Sequence, residues 1–132
     1  MLKGIPHTGI DAVWREILPW VNAACLRVNG RYEAEDVLGW LKDRNWQLWL
    51  ASEEGVLIAC CCTEIIKYPR RTYARVTLAG GHAMATWAHH MKDIEKWARI
   101  QGCDGIELGG RPGWKKIFPD WEQTNIFLEK EL

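Results

Sequence analysis

The chain is 132 residues long, 48% hydrophobic and 26% charged, with 17 Lys and Arg balanced by 17 Asp and Glu. That is enough chain for one domain over 1–132 with a real core, and the composition excludes disorder. The longest apolar run, Val56–Cys62, is strand-sized and far below the roughly 18 residues a membrane span needs, so no membrane partner is expected.

Apolar residues recur at helical spacing over 11–28 (Trp14, Ile17, Leu18, Val21, Cys25, Val28), with Asp11 as the expected N-cap. Pro19 falls inside this pattern and is expected to kink the helix or start a second one. After a turn at Asn29-Gly30, Val37, Leu38 and Leu41 mark a shorter helix at about 34–43, with an acidic first turn. Strand patterns follow at 46–51, 56–66 and 72–79. They are separated by the turns 52–55 and 67–71, which implies an antiparallel meander. Leu2–Ile5 is too short to be recognised as a strand. In 72–79, strict alternation places Thr72, Ala74, Val76 and Leu78 on one face.

Gly80-Gly81-His82-Ala83 then leads into a helix at about 84–101, striped by Met84, Trp87, Met91, Ile94 and Ala98 and closed by Gly102. Residues 104–108 read as a buried strand. A strand, a helix and a strand within about 37 residues form a crossover, so 104–108 should run parallel to 72–79. A break at 109–113 precedes a short helix at 114–118, and the alternation of 121–128 predicts a last strand. The fold class is α/β with a mixed sheet.

Charge is uneven. Residues 1–66 carry six basic and nine acidic side chains, whereas 67–116 carry ten and four. Such a local excess suits an anionic ligand, either a phosphorylated cofactor or nucleic acid, or else a solvated surface. The five cysteines include the consecutive Cys60, Cys61 and Cys62, whose side chains alternate between the faces of a strand and so cannot converge on a metal. Free thiols in a reducing compartment are expected, and Met1–His7 lacks the apolar core of a signal peptide, so the expected location is cytoplasmic. His89 and His90 diverge on a helix, and His82 and His89 lie about 10 Å apart along one. No metal is expected.

Glycines entering a helix leave backbone amides free to hold an anion, and the stretch Leu78, Ala79, Gly80, Gly81, His82, Ala83, Met84 and Ala85 is the candidate binding segment. The competing reading is a tight turn that needs glycine for its backbone angles alone. Candidate proton acceptors are Glu64 and Glu107, on apolar strands, and His82, beside the glycines. Glu107 could equally pair with Arg75 or Arg111.

The order of elements resembles the GNAT superfamily of N-acetyltransferases. Ala98-Arg99-Ile100-Gln101-Gly102-Cys103-Asp104-Gly105-Ile106-Glu107-Leu108 is similar to that family's long helix running into its fifth strand. Gly110-Arg111-Pro112-Gly113-Trp114 through Phe118 is similar to a pattern in small phage-encoded members. The resemblance covers roughly 11–130. It implies acetyl-CoA wedged between the strands at 72–79 and 104–108, its pyrophosphate on 80–85 over bare amides, and an amine acceptor. Against the family's Gln/Arg-x-x-Gly-x-Gly/Ala loop, this chain has Gly80-Gly81-His82-Ala83-Met84-Ala85, a degenerate version, and 114–118 lacks the tyrosine that many members use to protonate the leaving thiolate.

Nine tryptophans are the compositional oddity. Trp14, Trp87 and Trp97 fall on or near helix stripes. Trp20, Trp40, Trp49, Trp114 and Trp121 would form a binding surface if they share an exposed face. The alternative to catalysis is therefore a non-catalytic phage protein, in host cytoplasm or virion, engaging a protein partner or a second copy through a Trp-rich surface. A nucleic-acid-binding module with bases stacked between tryptophan and arginine ranks third.

Overall fold

The computed structural model describes residues 1–82, 87–110 and 113–132. A five-stranded sheet runs in the order β1 (Leu2–Ile5), β2 (Gln47–Glu53), β3 (Val56–Lys67), β4 (Thr72–Gly81), β5 (Gly105–Leu108). The first four strands are antiparallel neighbours. β5 runs parallel to β4, as the crossover through α3 (Trp87–Ile100) requires. One face carries α1 (Ile10–Cys25) and α2 (Ala34–Lys42). The other carries α3 and α4 (Trp114–Ile117).

Each face has its own core, because alternate residues of β2 and β3 point to opposite sides. Leu48, Leu50, Cys60 and Cys62 join Ile17, Val21, Val37 and Leu41 under α1 and α2. Trp49, Ala51, Ala59 and Cys61 join Met91, Ile94 and Phe118 on the opposite face. The cysteine triplet thus serves both cores, and all five cysteines are free. The hairpin between β2 and β3 turns on Glu54 (φ +50°) and Gly55 (φ +78°), the left-handed pair that matches strand twist.

Several sequence expectations are corrected. No second helix starts at Pro19, since α1 runs through it as one helix. Its buried stripe (Ile10, Ile17, Val21, Ala24) anchors it, while Pro19 and Arg15, whose carbonyl loses its helical partner, both lie exposed to water. Gly9, not Asp11, is its N-cap, and Asp11 instead bridges to Lys42 of α2 at 2.8 Å. Leu2–Ile5 does form a strand, its pairing supplied by β2.

Strict alternation along β4 fails, because the register shifts between Cys62 and Thr63. Leu78 pairs with Cys62 and Val76 with Thr63, so Thr77 is an extra residue. Its hydroxyl donates to the Cys62 carbonyl at 3.2 Å. Val76 and Leu78 therefore serve opposite cores.

The final strand expected at 121–128 is absent, since that segment carries no strand pairing. Alternation stabilises a strand only where one side is buried. Here Ile126, Phe127 and Leu128 are all exposed, at 71%, 87% and 90%. The segment is instead tied at its start. Lys115 donates to the carbonyls of Pro119 (2.9 Å) and Trp121, and Trp121 stacks on Phe118 with ring centres 4.7 Å apart.

Candidate functional site

β4 and β5 pair from Tyr73 with Gly105 to Val76 with Leu108 and then part. β4 continues through Thr77–Gly81, but among the described residues no strand pairs with it on the β5 side. β5 ends at Leu108, and the chain turns away through Gly109 and Gly110. The divergence coincides with the Thr77 bulge, which adds local twist. Among the described residues this stretch of β4 is therefore a sheet edge beside a cleft.

Two cavities lie along this cleft. One, of about 500 Å³, is bordered by Ala79–His82, by Trp20, Ala24 and Arg27 of the α1 side, and by Trp114. The other, of about 510 Å³, shares Ala24, Arg27, Ala79 and Trp114. It adds Tyr32, the turn between α1 and α2, residues 108–110, and Phe127 and Glu129 from the C-terminal segment. The shared wall makes them two halves of one groove, and each falls in the size range of small-molecule sites.

The candidate binding segment lines this groove, but its glycines do not form the turn expected of them. Gly80 and Gly81 end β4, paired with Cys60 and Ala59. At Gly81 (φ +121°) a Cβ would lie 2.5 Å from the Ala59 Cα and the Ile58 carbonyl oxygen. At Gly80 it would lie 3.1 Å from the Cβ and carbonyl oxygen of Trp20. The pair thus lets the strand end close on β3 and lets α1 approach β4. The His82 amide, expected to be bare, donates to the Ile58 carbonyl at 2.7 Å. Its exposed ring meets Trp20 edge-on at 5.9 Å. Leu78 is buried in the α1-side core and Ala79 lines both cavities. Ala83, Met84 and Ala85 lie outside the described residues.

The structure separates the two carboxylate candidates. Glu107, aligned with Arg75, accepts from that guanidinium and from the Tyr68 hydroxyl, each at 2.8 Å. Arg75 also donates to the Tyr68 oxygen at 3.0 Å, which completes a closed network at the paired end of the strands. All of these contacts fall on Glu107 Oε1, so that oxygen is the one neutralised by Arg75. Glu64 is half-buried opposite Arg75 on β3, and among the described residues it has no hydrogen bond or ion pair.

Tyr32, which sequence reasoning passed over, lines the groove. Burial pushes its phenol upward, with smaller contributions from Cys25, Cys62 and Glu64, so it holds its proton at neutral pH. Its only sequence signal was a lone aromatic after Asn29-Gly30. Its ring also packs edge-on against Trp40 (5.4 Å) and Trp46 (5.6 Å).

No tryptophan whose side chain is described is exposed. Trp49 and Trp46 are buried; Trp14, Trp20, Trp40, Trp97, Trp114 and Trp121 are half-buried against the two cores. Residues of the basic stretch are likewise engaged, Arg75 with Glu107 and Arg71 over the Tyr73 ring at 5.3 Å. Among the described residues no group of three or more His, Cys, Asp or Glu is placed to hold a metal ion, and no helix is long and apolar enough to cross a membrane.

No family model and no curated protein matches the chain. Solved structures do. An aminoglycoside acetyltransferase from an uncultured soil metagenomic sample, in complex with trehalose, superposes with a TM-score of 0.72 at 8% identity, over 100% of this chain and 95% of its own. A GNAT family acetyltransferase from Staphylococcus aureus gives 0.69 at 12% identity, over 100% and 98%. A ribosomal-protein-alanine N-acetyltransferase from Brucella melitensis gives 0.65 at 11%, over 98% and 99%. The chain has the GNAT fold.

Proposed function

We propose that this chain binds acetyl-CoA in the groove between β4 and β5 and transfers the acetyl group to an amine. The observation that carries the reading is the parting of the two strands after Val76 and Leu108, which leaves Thr77–Gly81, among the described residues, without a strand partner on the β5 side and beside a cavity of about 500 Å³. An extended ligand rich in amides can add to such an edge as a further strand would.

The residues present fit that ligand. Ala23, Ala24, Ala79 and Gly80 keep the wall shallow, the edge offers backbone donors and acceptors, and Arg27 supplies a cation to both halves of the groove. The thioester of acetyl-CoA would supply an activated acyl carbon. What the protein contributes is position and proton handling. An ammonium acceptor must lose a proton before it attacks, and Glu64, whose charge reaches Tyr32, is the candidate to take it, whereas Glu107 is already paired through Oε1 with Arg75 and Tyr68. Tyr32 lines the same groove with its proton in place and is the candidate to supply one to the departing thiolate, the role for which α4 has no tyrosine.

The test is thermal unfolding with acetyl-CoA, since a ligand bound only by the native state stabilises it. At a hundred times the dissociation constant the gain is about 2.7 kcal/mol, roughly 8 to 13 °C for a domain of this size. No shift at millimolar acetyl-CoA would leave the protein-interaction alternative. A shift without release of free CoA thiol across a panel of amines would leave a binder and not a catalyst.

A further inference from the structure

The half of the groove lined by Tyr32 holds a feature that acetyl transfer alone does not explain. The carboxylate of Glu129 sits at its edge, reached from residues about a hundred positions away. Asn29 Nδ2 donates to Glu129 Oε2 at 2.8 Å, and both terminal nitrogens of Arg31 lie 3.4 Å from the same oxygen. The receiving residues are held by their own turn. Asn29 (φ +52°) and Gly30 (φ +74°) take left-handed conformations, and Arg31 donates from its guanidinium to the Val28 carbonyl at 2.8 Å. Arg27, two residues before Asn29, lines both cavities.

The segment that brings Glu129 there is not held by apolar burial. Its Ile126, Phe127 and Leu128 are exposed, and it carries no strand pairing. What docks it, among the described contacts, is the carboxylate. The Asn29 hydrogen bond and then the Arg31 charge hold the Glu129 carboxyl below the usual carboxylate range, so the turn favours an ionised group. Arg31 and Glu129 keep 57% and 45% of their side-chain surface exposed, and pairs this open to water are weak and exchangeable.

We propose that Arg27, Asn29 and Arg31 form a carboxylate-recognising subsite in the half of the groove lined by Tyr32, which Glu129 fills from within the chain until an acceptor bearing its own carboxylate displaces it. The substrate class that follows is an amine carrying a carboxylate, such as an amino acid or an acidic peptide. This class rests on the acetyl-transfer reading; the subsite itself does not.

The probe is glutarate, a dicarboxylate without an amine, followed by NMR at the side-chain amide of Asn29 in the full-length chain. If the tail fills the subsite about nine-tenths of the time, Glu129→Ala should tighten apparent glutarate binding about tenfold. Adding Arg31→Gln should abolish it, and the neutral diamide glutaramide should not bind. Equal binding to Glu129→Ala with and without Arg31→Gln, or no response at Asn29 in Glu129→Ala, overturns the proposal. The acetyl-CoA unfolding assay, run on the same proteins, separates the two claims. Glutarate binding without an acetyl-CoA shift keeps the subsite and ends the transferase reading, and the converse ends only the subsite.

Discussion

Gly81→Ala tests whether the end of β4 is built around a forced close approach. Its φ of +121° lies where side-chain-bearing residues are rarely found, and holding alanine there costs about 1–3 kcal/mol. The added methyl would also lie 2.5 Å from the Ala59 Cα and the Ile58 carbonyl oxygen. These are backbone atoms of β3, next to the fully buried Cys60, and cannot swing aside as a flexible side chain would. Overpacking of that kind adds about 1–3 kcal/mol, for a total of roughly 4 kcal/mol and a loss of some 12 to 20 °C in Tm. The comparison is Gly55→Ala, where φ is +78° but nothing lies within 4 Å, so only the backbone cost of about 1–2 kcal/mol applies. Urea unfolding of both variants, followed by circular dichroism, measures the difference. If Gly81→Ala loses no more than Gly55→Ala, the close approach is not what demands glycine. If it loses the larger amount, the His82 amide bond to Ile58 should weaken with it, and acetyl-CoA stabilisation should fall in the same variant.

Thr63 accepts from Trp49 Nε1 at 3.0 Å and donates to Gln47 Oε1 at 2.9 Å while fully buried. Thr63→Val should therefore cost about 1–3 kcal/mol by stranding the indole N–H, and Thr63→Ser, which keeps the hydroxyl, about 1 kcal/mol; equal losses in urea titrations would show that the bond is immaterial. Burial pushes the Cys60 thiol from 9.0 up to about 12, and Cys61 and Cys62 are raised as well. Above pH 9 the unfolded chain then sheds protons that the native chain keeps, so this contribution is whole below pH 9 and lost as pH rises toward 12. Cys60 alone should cost about 1 kcal/mol at pH 10 relative to pH 8. A thiol reagent should label only the half-buried Cys25 and Cys103 in the native protein, and prompt labelling of more than two thiols would contradict the packing.

Much of the architecture was legible in the chain because its signals are local. The 3.6-residue stripes of α1 and α3, the alternation of β2 and β3, the turn at 52–55 and the spacing of the β4–α3–β5 crossover all lie within short windows. They were sufficient to place β5 parallel to β4. No second helix starts at Pro19, because local propensity was outweighed by the buried stripe on either side of it. The pattern at 121–128 misled for the opposite reason, since alternation there meets no face to bury.

The site was less legible, because it is made by register and by contacts between distant positions. The glycine pair was visible in the sequence, but whether it formed a turn or a strand end depended on its pairing with Cys60 and Ala59. Register sets both Glu64 and Glu107 opposite Arg75, from β3 and β5, and only the packing of the side chains decided that Glu107 takes the ion pair. Tyr32 and Glu129 carry no spacing signal linking them to the groove.

By itself, then, the order of amino acids determined most of the elements, their succession and the parallel pairing across the crossover, since periodicity and turn chemistry act over a few residues. Only the tertiary structure decided where two strands part, which carboxylate pairs with Arg75 and what the tail touches. Those outcomes depend on strand register, the bulge at Thr77 included, and on a contact a hundred residues apart, and neither leaves a trace in any local stretch of sequence.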